Sequence, residues 1–186
     1  VDDNFTTIVN AIEEGRDIYA KLINSARYLL SCNTGEITAI FLSIMLKLPL
    51  PLLPLQILLM NLLTDDFPAL GLGSESTEEG IMTMPPRNPK EKPITGKIFV
   101  FILIFGVIMG IGTLLMFLKY QDSGLSKAQT VAFTTLVMFE MFAVLSSRTI
   151  YPSLKHLNPL TNIWLFLAVC LSITIQLIVI YWSPMQ

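Results

Sequence analysis

Residues 98–118 read IFVFILIFGVIMGIGTLLMFL, a run without a charged side chain, bracketed by Lys97 and Lys119. About 20 apolar residues suffice to cross the hydrocarbon core of a bilayer as a helix, so this stretch reads as a transmembrane span. The rest of the chain agrees with it. Of 186 residues, 53% are hydrophobic and 14% charged, against roughly a quarter charged in a soluble protein. A mean hydropathy of +0.64 leaves too few polar residues to cover a water-facing surface. The expected fold is therefore all-α, a polytopic transmembrane helix bundle of five spans, at about residues 22–46, 52–72, 98–118, 130–147 and 162–182. The last closes on Tyr181 and Trp182, a pair suited to the headgroup interface.

Ahead of the first span, Phe5, Ile8, Val9 and Ile12 follow helical spacing, and the pattern continues through Ile18 and Leu22 without a proline or turn cluster. Residues 1–21 are thus expected to be a stalk helix that leaves the membrane, and residues 22–183 the membrane region. The positive-inside rule orients the spans. Arg16, Lys21, Arg27, Arg87, Lys90, Lys92, Lys97, Arg148 and Lys155 fall on one side, and Lys47, Lys119 and Lys127 on the other, which accounts for all 12 basic residues. That asymmetry places the N-terminus, the loop at 73–97 and the loop at 146–160 in the cytoplasm, with the C-terminus opposite. A net charge of -2 gives no footprint for nucleic acid. Cys32 and Cys170 have neither metal nor disulfide spacing and carry no weight in this reading.

The first two spans differ from the others in carrying polar residues. The first contains Arg27, Asn33 and Glu36; the second contains Pro54, Asn61, Asp65, Asp66 and Pro68, with Pro51 just before it; Glu140 lies mid-way along the fourth. A charge at the bilayer centre costs about 2.5–3.5 kcal/mol on insertion scales, and such residues persist where they pair, line a cavity or bind an ion. Asn33 and Glu36 share a helical face by spacing, as do Asn61, Thr64 and Asp65. All offer oxygen, with no His or Cys among them, which is the ligand chemistry of a hard cation. Asn or Thr alone is commonly interhelical glue. Glu36, Asp65 and Glu140 together would repel one another unless protonated or bridged by a cation. Pro68 should weaken or break the second helix near Thr64, whose carbonyl it cannot satisfy, and freed carbonyls there would face an ion. Asp66, turned about 100° from Asp65, is weaker. His156 is expected in a solvated loop, and the nine methionines in packing.

These residues resemble a known family. Asp2-Asp3-Asn4-Phe5, Glu13-Glu14-Gly15-Arg16, Ser31-Cys32-Asn33-Thr34-Gly35-Glu36, Asn61-Leu62-Leu63-Thr64-Asp65 with Pro68-Ala69, and Pro85-Pro86-Arg87-Asn88-Pro89-Lys90-Glu91 are similar, in order and spacing, to type II P-type ATPases. The nearest likeness is to Ca2+-transporting pumps of the sarco/endoplasmic reticulum class, through Asn61 and Phe139-Glu140-Met141. Cys32 stands in place of a usual Ser, and Asp66 in place of Gly.

The resemblance implies that the five spans are the fifth to ninth membrane helices of such a pump. It implies that Asn33, Glu36, Thr64, Asp65 and Glu140 hold one Ca2+, and that Asn61 with Asp65 contributes to a second whose other ligands come from an earlier helix. The expected function is therefore the cation-binding region of an ATP-driven Ca2+ pump, a translocase. Ca2+ is the transported ion, with protons returning on the same carboxylates. ATP and Mg2+ are implied for domains not among these residues, since no Asp-Lys-Thr-Gly sequence occurs here. The expected partners are the bilayer, the phosphorylation, nucleotide-binding and actuator domains, and the remaining membrane helices. The loop at 73–97 is expected to brace the phosphorylation domain. Two alternatives differ in class. A pump for Na+, K+, H+ or Mn2+ would use similar residues, and a self-contained secondary transporter would begin near its first span with an initiator Met, whereas Val1-Asp2-Asp3-Asn4-Phe5 reads as the interior of a longer chain. A third reading treats the carboxylates as helix-packing groups without an ion.

Overall fold

The computed structural model describes residues 5–77, 80–83, 85–86, 92–148 and 161–181. Trp182, Lys155, His156, residues 2–4 and the run at 87–91 lie outside them. The described residues are helical, without strands. In chain order they form α1 (Phe5–Met45), α2 (Pro54–Leu59), a π-helical segment (Met60–Asp65), α3 (Asp66–Gly73), a short 3-10 turn (Ile81–Thr83), α4 (Gly96–Tyr120), a second 3-10 turn (Gln121–Ser123), α5 (Leu125–Ser146) and α6 (Ile163–Tyr181). Among these, α1, α4 with its following turn, α5 and α6 are long and apolar enough to cross a membrane.

Helix α1 runs unbroken for 41 residues. No proline interrupts it, and several of its hydroxyls turn back onto its own backbone: Ser31 donates to the carbonyl of Arg27, Thr34 to that of Leu30 and Ser43 to that of Ile40. Such pairing satisfies each hydroxyl inside its own helix, as an apolar surrounding requires. The end of α1 is set by Lys47, whose positive φ of 56° lets Leu48 N–H reach the Ser43 carbonyl at 2.9 Å and Lys47 N–H the Ile44 carbonyl at 3.0 Å. That is the Schellman pattern of a helix C-terminus, here with lysine where glycine is usual.

The second span is one helical stretch in three parts. Proline at the first position of α2 supplies the fixed φ that suits a helix start, and the Gln56 carbonyl oxygen accepts the Leu53 N–H at 2.9 Å. Pro68 distorts the helix without breaking it, the milder of the two outcomes the sequence allows. The turns before it, Met60–Asp65, widen to the π form. Pro68 can give no amide hydrogen to the carbonyl four residues back, and local widening lets other donors take up the shortfall without exposing backbone to hydrocarbon.

The helices are held together by close backbone approach. A Cβ placed on Gly106 of α4 would stand 2.5 Å from Thr34 Cβ and 2.9 Å from the Ser31 carbonyl, and one on Gly110 would stand 2.6 Å from Thr38 Cβ and 2.7 Å from the Gly35 carbonyl. Helices α1 and α4 therefore meet where side chains are absent or small, which is how helices associate without a hydrophobic drive. Gly71 of α3 meets α6 in the same way, 2.8 Å from Leu165 Cα. The core between the helices contains Tyr28, Met60, Met109, Phe117, Phe133 and Leu136, while Ile37, Ile104, Ile108 and Trp164 face outward. An outward apolar surface is the expected match to lipid or to further membrane helices.

One end of the bundle is fastened by a buried ion pair. Arg148, just after α5, donates to both oxygens of Glu75, just after α3, at 2.9 and 2.6 Å. The Asn162 amide donates to Glu75 and to the Gly71 carbonyl, both at 2.9 Å, while its oxygen caps α6 by accepting the Leu165 N–H. The Arg148 carbonyl accepts from Asn24 of α1 at 3.2 Å, and the Ala69 carbonyl from Ser25 at 3.0 Å. Four helices thus converge on two charges that are nearly sealed from solvent. Removing one partner of a buried, hydrogen-bonded pair leaves the other unpaired. Arg148→Met is expected to destabilise the purified protein by about 3–5 kcal/mol in thermal unfolding, and the double variant Glu75→Leu/Arg148→Met to recover most of that loss.

Candidate functional site

Of the residues singled out in the sequence, Glu36, Asn61, Asp65 and Glu140 come together between α1, the π segment and α5. Glu36 is 4% exposed, and its two carboxylate oxygens accept from the Asn61 amide at 3.0 and 3.1 Å. Asn61 also donates to the Ile57 carbonyl at 3.0 Å, which fixes its orientation. Asp65 and Glu140 are wholly buried. A carboxylate oxygen of each lies within 4.8 Å of the other and of the Cys32 sulfur. Because Cys32 and Glu36 are four apart on α1, and Asn61 and Asp65 four apart on the second span, the two groups stack about one helical turn from each other.

The site is short of hydrogen-bond donors. The Tyr28 hydroxyl donates to Asp65 Oδ1 at 3.2 Å, but Asp65 Oδ2 and both oxygens of Glu140 receive none. Among the described residues no lysine or arginine forms an ion pair with Glu36, Asp65 or Glu140; Lys21 pairs with Asp17 and Arg148 with Glu75. Buried carboxylates almost always find partners, and each one lacking them costs free energy. A divalent cation supplies what these oxygens lack. Opposite ligands of a Ca2+-sized ion, at about 2.3–2.6 Å from it, stand up to about 5 Å apart, so the observed spread accommodates one.

The other residues are nearby but locally satisfied. Thr64 is fully buried and its hydroxyl donates to the Met60 carbonyl at 3.0 Å; Asn33 is half-buried and its amide donates to Leu29 at 2.9 Å. In both, the donor is occupied and oxygen lone pairs remain. Asp66 is exposed, turned out of the site that its buried neighbour Asp65 enters. Tyr28 and Cys32 were missed in the sequence. Both are completely buried, and their spacing to Glu36 at i, i+4 and i+8 was the signal that places them on the same face.

Fold and site together define a multi-pass helical membrane protein with buried carboxylates gathered from three spans. Comparison with known proteins agrees. The family model described as "Cation transporting ATPase, C-terminus" matches residues 49–186, and the chain belongs to that family, the C-terminal membrane region of type II P-type ATPases. A protein named "Calcium-transporting ATPase" from Bacillus subtilis (strain 168) is 42% identical over 189 residues, covering 100% of this chain. The chain spans only 21% of that relative's length.

The π segment sets which way Asn61 faces relative to Asp65. Restoring an amide at position 68 removes the reason for widening, and return to α geometry turns the preceding residues by about 100° for each residue of register lost. Pro68→Ala is therefore expected to stabilise the purified protein slightly while separating Asn61 from Glu36. Short-span cross-linking between cysteines placed at positions 36 and 61 checks this, and undiminished cross-linking in the Pro68→Ala background would count against it.

Proposed function

We propose that these helices are the cation-binding membrane region of an ATP-driven pump that moves Ca2+ out of the cytoplasm. The observation that carries the reading is the buried Asp65–Glu140 pair, three of whose four oxygens lack a donor, next to Glu36 and Asn61. Ca2+ takes six to eight oxygens, and Asn33, Glu36, Thr64, Asp65 and Glu140 provide most of such a shell for one ion. Asn61 and Asp65 contribute to a second. Supporting the choice of ion are the hard-donor composition of the set and the name of the Bacillus relative.

Binding changes the site in a definite way. Asn61 now turns its NH2 group toward Glu36, and a cation between them must be met by the amide oxygen instead. The amide therefore turns over when the ion arrives. Glu36 then exchanges a hydrogen bond for a metal bond, and protons carried by the carboxylates in the empty state leave.

The same reading puts the N-terminus and the loops after α3 and α5 on the cytoplasmic side. The Glu75–Arg148 pair supports a common side for the two loops, because it joins them two residues after the ends of α3 and α5. Residues 1–21 act as the stalk toward the phosphorylation domain, and ATP and Mg2+ belong to domains outside these residues. In the full-length pump, Asp65→Asn is expected to weaken Ca2+ binding at equilibrium by more than about 100-fold, beyond what loss of an outer-shell partner costs. Glu36→Gln is expected to abolish coupled Ca2+ uptake and proton countertransport. Wild-type Ca2+ binding in Asp65→Asn, or intact transport in Glu36→Gln, would overturn the assignment.

A further inference from the structure

The sulfur of Cys32 is an unusual presence beside two carboxylates. It is a free thiol, completely buried, and within 4.8 Å of an oxygen of Asp65 and of Glu140. Independently of the cysteine, both Glu140 oxygens and Asp65 Oδ2 are buried and unpartnered, and they belong to the same small cluster. Tyr28, one turn before Cys32 on α1, holds the other Asp65 oxygen and so orients that carboxylate.

We propose that Cys32 is a cation ligand, and that its sulfur makes this site accept soft divalent ions, with Cd2+ the match in size, alongside Ca2+. The inference rests on the cation-site reading above and extends it to a further class of ion. Thiolate selects thiophilic metals, whereas carboxylate and carbonyl oxygens select hard ones, so a mixed set binds both classes. Geometry separates the soft ions. Neighbouring ligands around tetrahedral Zn2+, with bonds of about 2.0–2.3 Å, stand about 3.5 Å apart, which requires the cluster to contract by up to about 1.3 Å. A larger soft ion needs less contraction. On binding, the thiol forms a sulfur–metal bond and releases its proton to solvent, and no electrons are transferred.

The test uses the purified full-length pump without ATP. Cd2+ is titrated while the ultraviolet sulfur-to-metal charge-transfer absorption is recorded, and Ca2+ and Cd2+ affinities are measured by mutual displacement. In the wild type the absorption should rise to saturation and fall again as Ca2+ is added. In Cys32→Ser this Ca2+-displaceable absorption should vanish, and the ratio of Cd2+ to Ca2+ affinity should drop by at least about tenfold. A ratio within twofold of wild type, or displaceable absorption that survives Cys32→Ser, overturns the proposal. Should that variant fail to fold, the wild type still decides: the 113Cd NMR signal of the Ca2+-displaceable ion should lie downfield, in the range of sulfur ligation, and a shift in the all-oxygen range overturns it. Asp65→Asn and Glu140→Gln separate the two levels. If Ca2+ binding survives both, the cation-site reading itself has failed; if it is lost in them while Cys32→Ser leaves the ratio unchanged, only the sulfur ligand has failed.

Discussion

The near-contact of the α1 and α4 backbones is the constraint on which the remaining arrangement depends. In hydrocarbon two apolar helices gain little from hiding their surfaces, so association rests on close packing. Gly106 and Gly110 allow it by admitting Thr34, Thr38 and the Gly35 carbonyl to within distances that no side chain would tolerate. Helix α4 then carries the register onward. Gly112 receives the Phe139 ring of α5, 2.8 Å from where a Cβ would stand, and the next residue of α5 is Glu140. The approach of Cys32 to Glu140, between helices far apart in the chain, is thus set by contacts that involve neither residue.

The second span completes the site by a different means. Six residues of π helix keep the backbone hydrogen-bonded around Pro68 while turning Asn61 toward Glu36 and leaving Asp65 inside. A regular α-helix through Pro68 would leave the Thr64 carbonyl without its donor and would face those two residues differently. The segment that follows is anchored at its far end by Glu75, Arg148 and Asn162. It is consequently held at both ends and irregular in the middle, which confines adjustment to the part that carries the polar residues.

The spans were legible because an apolar run of sufficient length has few other interpretations. Glu36, Asp65 and Glu140 stood out for the opposite reason, as charges in places where charge is costly. The effect of Pro68 was only half legible: the sequence shows that a donor is missing, but whether the helix breaks or widens depends on what surrounds it. Cys32 was passed over because a buried cysteine is ordinarily a small hydrophobe, and only its neighbours in space give it another meaning. Glu75 and Arg148 look like loop charges, and nothing local in the sequence marks them as a pair across 73 positions. The side on which each loop lies narrows the choice but does not pick partners.

Helix α1 has one further mechanical consequence. Between Phe5 and Gly35 it is an unbroken helical arm of about 45 Å at 1.5 Å per residue, and the glycine contact that pins it lies level with Cys32 and Glu36. Tilting a rod about a pivot moves its far end a great deal and the pivot hardly at all. A tilt of about 5° would carry the Phe5 end through roughly 4 Å while leaving the ligand-bearing residues almost stationary. Twisting it about its own axis acts differently: a side-chain tip about 5 Å from the axis travels nearly 3 Å for a turn of about 30°. Torsion, rather than leverage, is the input to which this site is mechanically sensitive.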